Sequence, residues 1–195
     1  MQTEEFWAIV EAARAGVDDT ATDADEVADA LVDRLSGMTP ARIVEFELVL
    51  DEVTNEAYRL NLWAAAYLMN GGCSDDCFDY FRGWLVAQGR TVWEAALTDP
   101  DSLADVVAVD TEDESIDGEG VLVAASRAYG RVAGSEERFW DALERARAAD
   151  PEADAQPDDP SGEEFDFDFD DHEQMRARLP RLAAIFLDDD RRPPA

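Results

Sequence analysis

Residues 69–85 concentrate side chains that could do chemistry. The segment holds a glycine pair, a cysteine pair, three aspartates, one arginine and several aromatic rings. An amphipathic helix does not need this combination, because one apolar face is enough for packing. We therefore predict that this segment carries the site, if the protein has one. The candidate ligand- or partner-binding residues are Cys73, Asp75, Asp76, Asp79, Tyr80, Arg82 and Trp84.

The two cysteines are the only thiols in the chain. If Ser74 caps a helix, Cys77 lies in its first turn, where the helix N-terminus favours a thiolate. The carboxylates of Asp75 and Asp76 oppose a second negative charge beside them. The only histidine, His172, lies in an acidic tail, so a Cys–His pair would need that tail to fold over. We expect buried structural thiols and name no catalytic residue.

A metal site has little support in the spacing of the ligands. Two cysteines supply half of the four ligands that a structural zinc needs. Three carboxylates, those of Asp75, Asp76 and Asp79, could offer oxygen ligands to magnesium or calcium. Each also has a simpler role, since Asp75 and Asp76 suit a helix start and Asp79 has ion-pair spacing to Arg82. We predict neither a metal nor another cofactor.

The aromatic residues of this segment allow two interpretations. Tyr80 and Trp84 are one helical turn apart, so a hydroxyl and an indole N–H at the rim of a cleft could orient a ligand. Aromatic residues at helical spacing also form cores. Both interpretations stay open at this point.

The elements that position these residues are predicted to be helices throughout. Asn70-Gly71-Gly72 ends one helix, and Ser74 caps the next, which Gly89 closes. Thr39-Pro40 opens the longest helix, which bends near residues 59–61 and continues to Tyr67. Further helices are predicted after a cap at Thr3, after a capping box of Asp23 with Glu26, over 91–97 and over 120–133, with a short extended piece at 106–109.

The predicted fold class is all-α, a single helical bundle with a disordered acidic segment and a short C-terminal helix. We assign residues 1–149 to the helical domain and residues 150–172 to an acidic disordered linker. Residues 173–195 form a C-terminal tail. Its short helix, over 178–187, is expected to dock on the bundle.

The net charge of −31 limits the classes of partner. All 16 basic residues are arginine, as a high-GC genome or adaptation to high salt would produce. Phosphates repel this charge, so we expect no direct binding to nucleic acid or to an anionic membrane. No apolar run is long enough to span a bilayer, and the N-terminus lacks the basic region of a signal peptide. With only two cysteines, the expected location is the cytoplasm.

Several stretches resemble an uncharacterised bacterial family, domain-of-unknown-function family 4240, over roughly residues 1–130. They are Phe6-Trp7, residues 62–67, residues 70–76, residues 78–85, Gln88-Gly89-Arg90 and residues 99–103. The resemblance implies a common core at residues 70–90, but no established activity and no agreed catalytic residues. The family's pattern does not require a second cysteine, so Cys77 is particular to this chain.

The function that we favour from the sequence is a non-enzymatic binding or regulatory module. Its contact would be with an unidentified protein or small molecule around residues 70–90. One alternative is an enzyme or metal-dependent activity at the same segment. Another is an acidic protein that mimics DNA and occupies a basic protein.

Overall fold

Helices make up all the regular structure in the described part of the chain, and the predicted all-α fold is confirmed. The computed structural model describes residues 1–17, 24–107, 116–149 and 168–187. The helices are α1 (Thr3–Arg14), α2 (Ala24–Leu35), α3 (Pro40–Glu56), α4 (Leu60–Asn70), α5 (Asp75–Ala87), α6 (Arg90–Thr98), a 3-10 helix (Pro100–Asp105), α7 (Glu119–Leu122), α8 (Ala124–Ala133), α9 (Glu137–Ala149), α10 (His172–Arg178) and α11 (Pro180–Phe186).

Helix α5, which carries most of the candidate residues, lies at the centre of the bundle. It contacts α1, α2, α3, α4, α6 and α7. Its apolar side chains Phe78, Phe81 and Leu85 have no exposed surface. The burial of aromatic rings contributes strongly to stability, because each removes a large apolar area from water. The central position of α5 therefore fixes its first turn firmly against the rest of the fold.

Two glycines allow the backbone of α5 to approach the segment that precedes α7. A Cβ atom on Gly83 would lie 2.4 Å from the carbonyl oxygen of Gly118. A Cβ atom on Gly118 would lie 2.0 Å from the backbone nitrogen of Trp84. Real Cβ atoms do not come this close to backbone atoms, so glycine is required at both positions for this packing.

Some helix ends differ from the sequence predictions. The long helix does not bend but stops, because α3 ends at Glu56 and Arg59 is extended before α4 begins. The predicted helix over 120–133 is broken at Val123 into α7 and α8. Thr3, the predicted cap of α1, is instead its first helical residue. The cap is Gln2, whose side chain makes no capping hydrogen bond. Propensity alone does not locate such breaks, since tertiary contacts decide them.

Some predicted features lie partly or wholly outside the described residues. These are Asp23 of the capping box, residues 108–109 of the extended piece and residues 150–167 of the linker. Val106, at the start of the extended piece, has a helical backbone at the end of the 3-10 helix. At the other end of the linker, Asp168–Asp171 precede α10, which begins at His172.

The C-terminal tail forms two short helices and packs on the bundle. Leu179 alone separates α10 from α11, and α11 contacts α4 and the 3-10 helix. The Asp101 carboxylate accepts hydrogen bonds from the backbone nitrogens of Arg181, at 3.0 and 3.1 Å, and Leu182, at 2.9 Å. These nitrogens belong to the first turn of α11, where they lack partners within the helix. Asp101 thus caps α11 from another element.

Within the described ranges, no helix combines the length and the apolar composition that crossing a bilayer requires.

Candidate functional site

The turn between α4 and α5 sets the geometry of the candidate site. Gly71 has a φ of 64°, a left-handed conformation that favours glycine and ends α4. The N–H of Gly72 then donates to the carbonyl oxygen of Tyr67 at 2.8 Å. Ser74 accepts a hydrogen bond from the backbone nitrogen of Cys77 at 3.3 Å and caps α5. The glycine stop and the serine cap are both as predicted from the sequence.

Asn70, the last residue of α4, connects this turn to a distant part of the chain. Its Oδ1 accepts a hydrogen bond from the backbone nitrogen of Ile116 at 2.8 Å. Its Nδ2 lies 3.4 Å from the Ile116 carbonyl oxygen and 3.4 Å from the Cys77 sulfur. An asparagine amide has both a donor and an acceptor, so it can bind a backbone N–H and C=O together. The sequence interpretation missed this contact and assigned Asn70 only to a helix end.

The cysteine side chains lie side by side. Their sulfur atoms are 2.7 Å apart, with the Cys73 thiol placed to donate to Cys77. Both are free thiols and half-buried, rather than fully buried as expected. Burial, followed by the hydrogen bond and charge of Cys77 and the charge of Asp75, raises the pKa of Cys73 well above its usual range. Cys73 is therefore a neutral thiol at physiological pH.

Arg82 ties α5 to α3. Its guanidinium carbon lies 4.7 Å from the centre of the Tyr58 ring and 5.4 Å from that of Phe78. Its Nη1 donates to the Thr54 carbonyl oxygen at 2.8 Å, and its Nη2 pairs with the Asp79 carboxylate. The side chain is only 11% exposed. Arginine over aromatic faces combines cation–π attraction with apolar contact, so Arg82 acts mainly in packing.

Trp84 lies in the core. It is 2% exposed, and its ring stacks on Phe81 with centroids 5.6 Å apart. Trp84 and Tyr80 therefore do not share a rim, although they are one turn apart in sequence. Of the two interpretations of these aromatic residues, packing applies to Trp84.

The exposed candidates form an acidic surface together with residues from another element. Asp75, Asp76 and Asp79 are exposed, and Tyr80 is half-buried beside them. The charge of Glu119 is the largest of the causes that raise the pKa of Tyr80, followed by burial and by the charges of Asp76, Asp117 and Asp79. We call this surface the acidic rim; it consists of Asp75, Asp76, Asp79, Tyr80, Asp117 and Glu119.

The sequence did not indicate that Asp117 and Glu119 belong beside α5. Neither residue was singled out from the sequence. Gly83 carried a signal, since a glycine inside a helical pattern often has a packing reason. The spacing of the residues does not say which elements meet there.

The described residues hold no group of three or more His, Cys, Asp and Glu side chains placed to bind a metal ion together. Asp75, Asp76 and Asp79 are thus spread along the edge of the helix rather than converging on a common point.

Comparison with known proteins places the chain in a family. Neither the curated proteins nor the solved structures include one with significant similarity to this chain. A family model described as "Protein of unknown function (DUF4240)" matches residues 1–131. These residues include the turn after α4, the whole of α5 and the acidic rim. Since the match spans about two thirds of the chain, this protein belongs to the DUF4240 family.

Proposed function

We propose that this protein is a non-enzymatic binding module whose acidic rim contacts a basic surface of a partner protein. The observation that carries the proposal is the grouping of exposed carboxylates from α5 and from the segment at α7 around Tyr80. Some exposed carboxylates elsewhere in the described structure pair with arginines across elements, as in Glu4–Arg90, Asp29–Arg127, Asp33–Arg131 and Asp105–Arg181.

The carboxylates of the acidic rim lie close together with little compensating positive charge. In the described ranges, Asp75, Asp76, Asp117 and Glu119 have no arginine partner, and Asp79 pairs with the mostly buried Arg82. Carboxylates that are held near each other make the local potential more negative, because their charges add. The raised pKa of Tyr80 is consistent with that potential, because nearby negative charge disfavours the phenolate. A cationic partner would relieve this repulsion and gain attraction over several charges.

The interior supports such a role by keeping the rim in place. Arg82 joins α5 to α3, and Asn70 joins α4 to the segment that carries Asp117. A contact surface that is already arranged loses less conformational entropy on binding. In this proposal the buried candidate residues hold the acidic rim in position, and the exposed ones contact the partner.

The test compares two triple variants with the same change in net charge. The rim variant carries Asp75→Asn, Asp76→Asn and Glu119→Gln. The control carries Glu137→Gln, Asp141→Asn and Glu144→Gln on the exposed side of α9. The probe is a fluorescent arginine-rich peptide, titrated at low and at physiological salt by anisotropy.

Exposed ion pairs contribute about 0.3–0.5 kcal/mol each, so we expect the rim variant to bind the peptide about fivefold to tenfold more weakly. The control should change the affinity by less than about twofold, as expected for distant, screened charges. Equal losses in both variants would mean that only the total charge matters, and the proposed site would be wrong.

A second arm addresses the metal-dependent alternative. The melting temperature of the wild type is measured with and without magnesium or calcium, since a ligand that prefers the folded state raises it. We expect magnesium and calcium to change the melting temperature no more than a salt control of the same ionic strength does. A metal-specific rise that Asp75→Asn removes would favour the alternative over our proposal.

A further inference from the structure

We propose that Cys73 and Cys77 form a reversible intramolecular disulfide when the protein meets a low-molecular-weight disulfide. The sulfur atoms are 2.7 Å apart, closer than two unbonded sulfurs normally lie. Both cysteines are free thiols and half-buried, so a small reagent can reach them. This modification needs no partner protein, although Asp75 of the acidic rim lies beside it.

The backbone already brings the two residues together. Ser74 is the cap of α5, so Cys73 precedes the cap and Cys77 is the third helical residue. The hydrogen bond from the Cys77 nitrogen to Ser74 closes a turn over residues 74–77, inside the loop of residues 73–77 that the disulfide would close. A disulfide needs side chains that approach each other, and the two sulfurs are in contact at 2.7 Å. Oxidation therefore requires little movement of the fold.

The surroundings assign different roles to the two sulfurs. The Cys77 sulfur accepts hydrogen bonds from the Cys73 thiol, at 2.7 Å, and from the Asn70 amide, at 3.4 Å. Cys77 is the third residue of α5, and both of these donors are directed at its sulfur. Cys73 keeps its proton, since burial and its neighbours raise its pKa. Cys77 is thus the attacking sulfur, and Cys73 is the resolving one.

The reaction proceeds in two exchange steps. The Cys77 thiolate attacks one sulfur of the small disulfide, which breaks the S–S bond and releases one thiolate. The product is a mixed disulfide on Cys77. The Cys73 thiol then loses its proton to solvent and attacks the Cys77 sulfur, which releases the second small thiol. The cysteine pair loses two protons and two electrons, and the small disulfide is reduced to two thiols.

The second step becomes easier once the first has occurred. The hydrogen bond to Cys77 and the charge of Cys77 are two of the causes that raise the pKa of Cys73. Both weaken when Cys77 is bound in a mixed disulfide, because that sulfur is then neutral and a poorer acceptor. Burial, the largest cause, remains, so the pKa of Cys73 falls only in part at the point where its attack is needed.

The experiment equilibrates the full-length protein in glutathione buffers of different ratios of reduced to oxidised form. Acid quenching, alkylation of free thiols and intact mass then give the fractions of dithiol, mixed disulfide and internal disulfide. The same titration in concentrated urea measures the pair in the unfolded chain. We expect the folded protein to favour the internal disulfide at least about tenfold more than the unfolded chain does. A ratio of one or less, or a mixed disulfide as the only product, would overturn the proposal.

Two single variants test the assignment of roles. Cys73→Ser retains Cys77, and Cys77→Ser retains Cys73; circular dichroism verifies that both are folded. We expect Cys73→Ser to stop at the mixed disulfide and to form it several-fold faster than Cys77→Ser does. Equal or reversed rates would refute the assignment of Cys77 as the attacking sulfur. Formation of the disulfide is tested separately, by how much more the folded wild type favours it than the unfolded chain does.

Discussion

At the scale of single residues, neighbouring side chains in α5 have different environments and different roles. Asp75 and Asp76 face water, while Arg82 lies between two aromatic rings with its charge used inside the protein. Replacing Arg82 would leave the Thr54 carbonyl oxygen without this donor and remove contacts to Tyr58 and Phe78. Loss of binding in such a variant would therefore report on packing. Only the rim carboxylates test the contact surface directly.

The least expected single residue is Glu47 in α3. It is only 6% exposed, and its Oε2 has no hydrogen-bond partner in the described structure. Burial, and then the charge of Asp51, raise the pKa of Glu47 from 4.5 to about 8, although Arg147 lowers it in part. A buried carboxylate whose desolvation outweighs the attraction of a nearby cation is most stable in its neutral form.

This raised pKa gives a signed prediction for stability. A group whose pKa is higher in the folded state contributes stability at low pH, and this is lost as the pH rises through its folded pKa. We expect the difference in unfolding free energy between the wild type and Glu47→Gln to fall by up to about 1.4 kcal/mol per pH unit from about pH 5 to pH 8, and then to level off. Urea denaturation across this range measures it.

The control for Glu47 is Glu52→Gln, which changes an exposed carboxylate on the same helix. Its difference from the wild type should vary little over that range, because water solvates the side chain in both states. If Glu47→Gln gives an equally flat difference, Glu47 is not buried as a neutral acid.

At the scale of elements, the approach of α5 to α7 depends on two residues without side chains. Gly83 faces the carbonyl group of Gly118, and neither backbone can move aside as a flexible side chain could. This contact also brings Glu119 next to the first two turns of α5. The packing of the core and the presence of Glu119 in the acidic rim therefore both require glycine at positions 83 and 118.

Gly83→Ala tests this contact. Alanine favours a helix by about 1 kcal/mol over glycine, so a variant without a clash would be stabilised. Because the new Cβ would lie 2.4 Å from the Gly118 oxygen, we expect instead a loss of about 1–3 kcal/mol in unfolding free energy. Gly16→Ala is the control, since its Cβ would meet nothing closer than 3.8 Å. A Gly83→Ala variant as stable as the wild type would contradict the close approach.

At the scale of the whole molecule, the fold extends beyond the part that the family model matches. That match ends at residue 131, before the end of α8. Phe139 and Leu143 of α9 are nevertheless buried, as are Leu182 and Ala183 of α11. The later helices thus complete the core, and a chain ending at residue 131 would expose apolar surface that they cover.

The contact of Asp101 with α11 is the clearest polar link between the two parts. Asp101→Ala would leave the backbone nitrogens of Arg181 and Leu182 without their acceptor, at a cost of about 1–3 kcal/mol. We expect faster amide hydrogen exchange across α11 in this variant. Asp105→Ala is the control, because it removes only the exposed ion pair to Arg181 and should change stability by less than about 1 kcal/mol. Unchanged exchange in Asp101→Ala would show that apolar contacts alone hold α11.

The sequence alone determined the fold class, the start of α3 at Pro40, the glycine stop after α4 and the serine cap of α5. These features depend on residues three or four positions apart, so local spacing is sufficient to predict them. Only the tertiary structure decided that Trp84 is buried, that the Oε2 of Glu47 has no hydrogen-bond partner in the described structure and that Glu119 joins the rim. Asn70 and Ile116 are 46 positions apart, and their hydrogen bond exists only because the packing of α5 against α7 brings their backbones together. Contacts of that kind arise from the shape of the whole core, which no local pattern encodes.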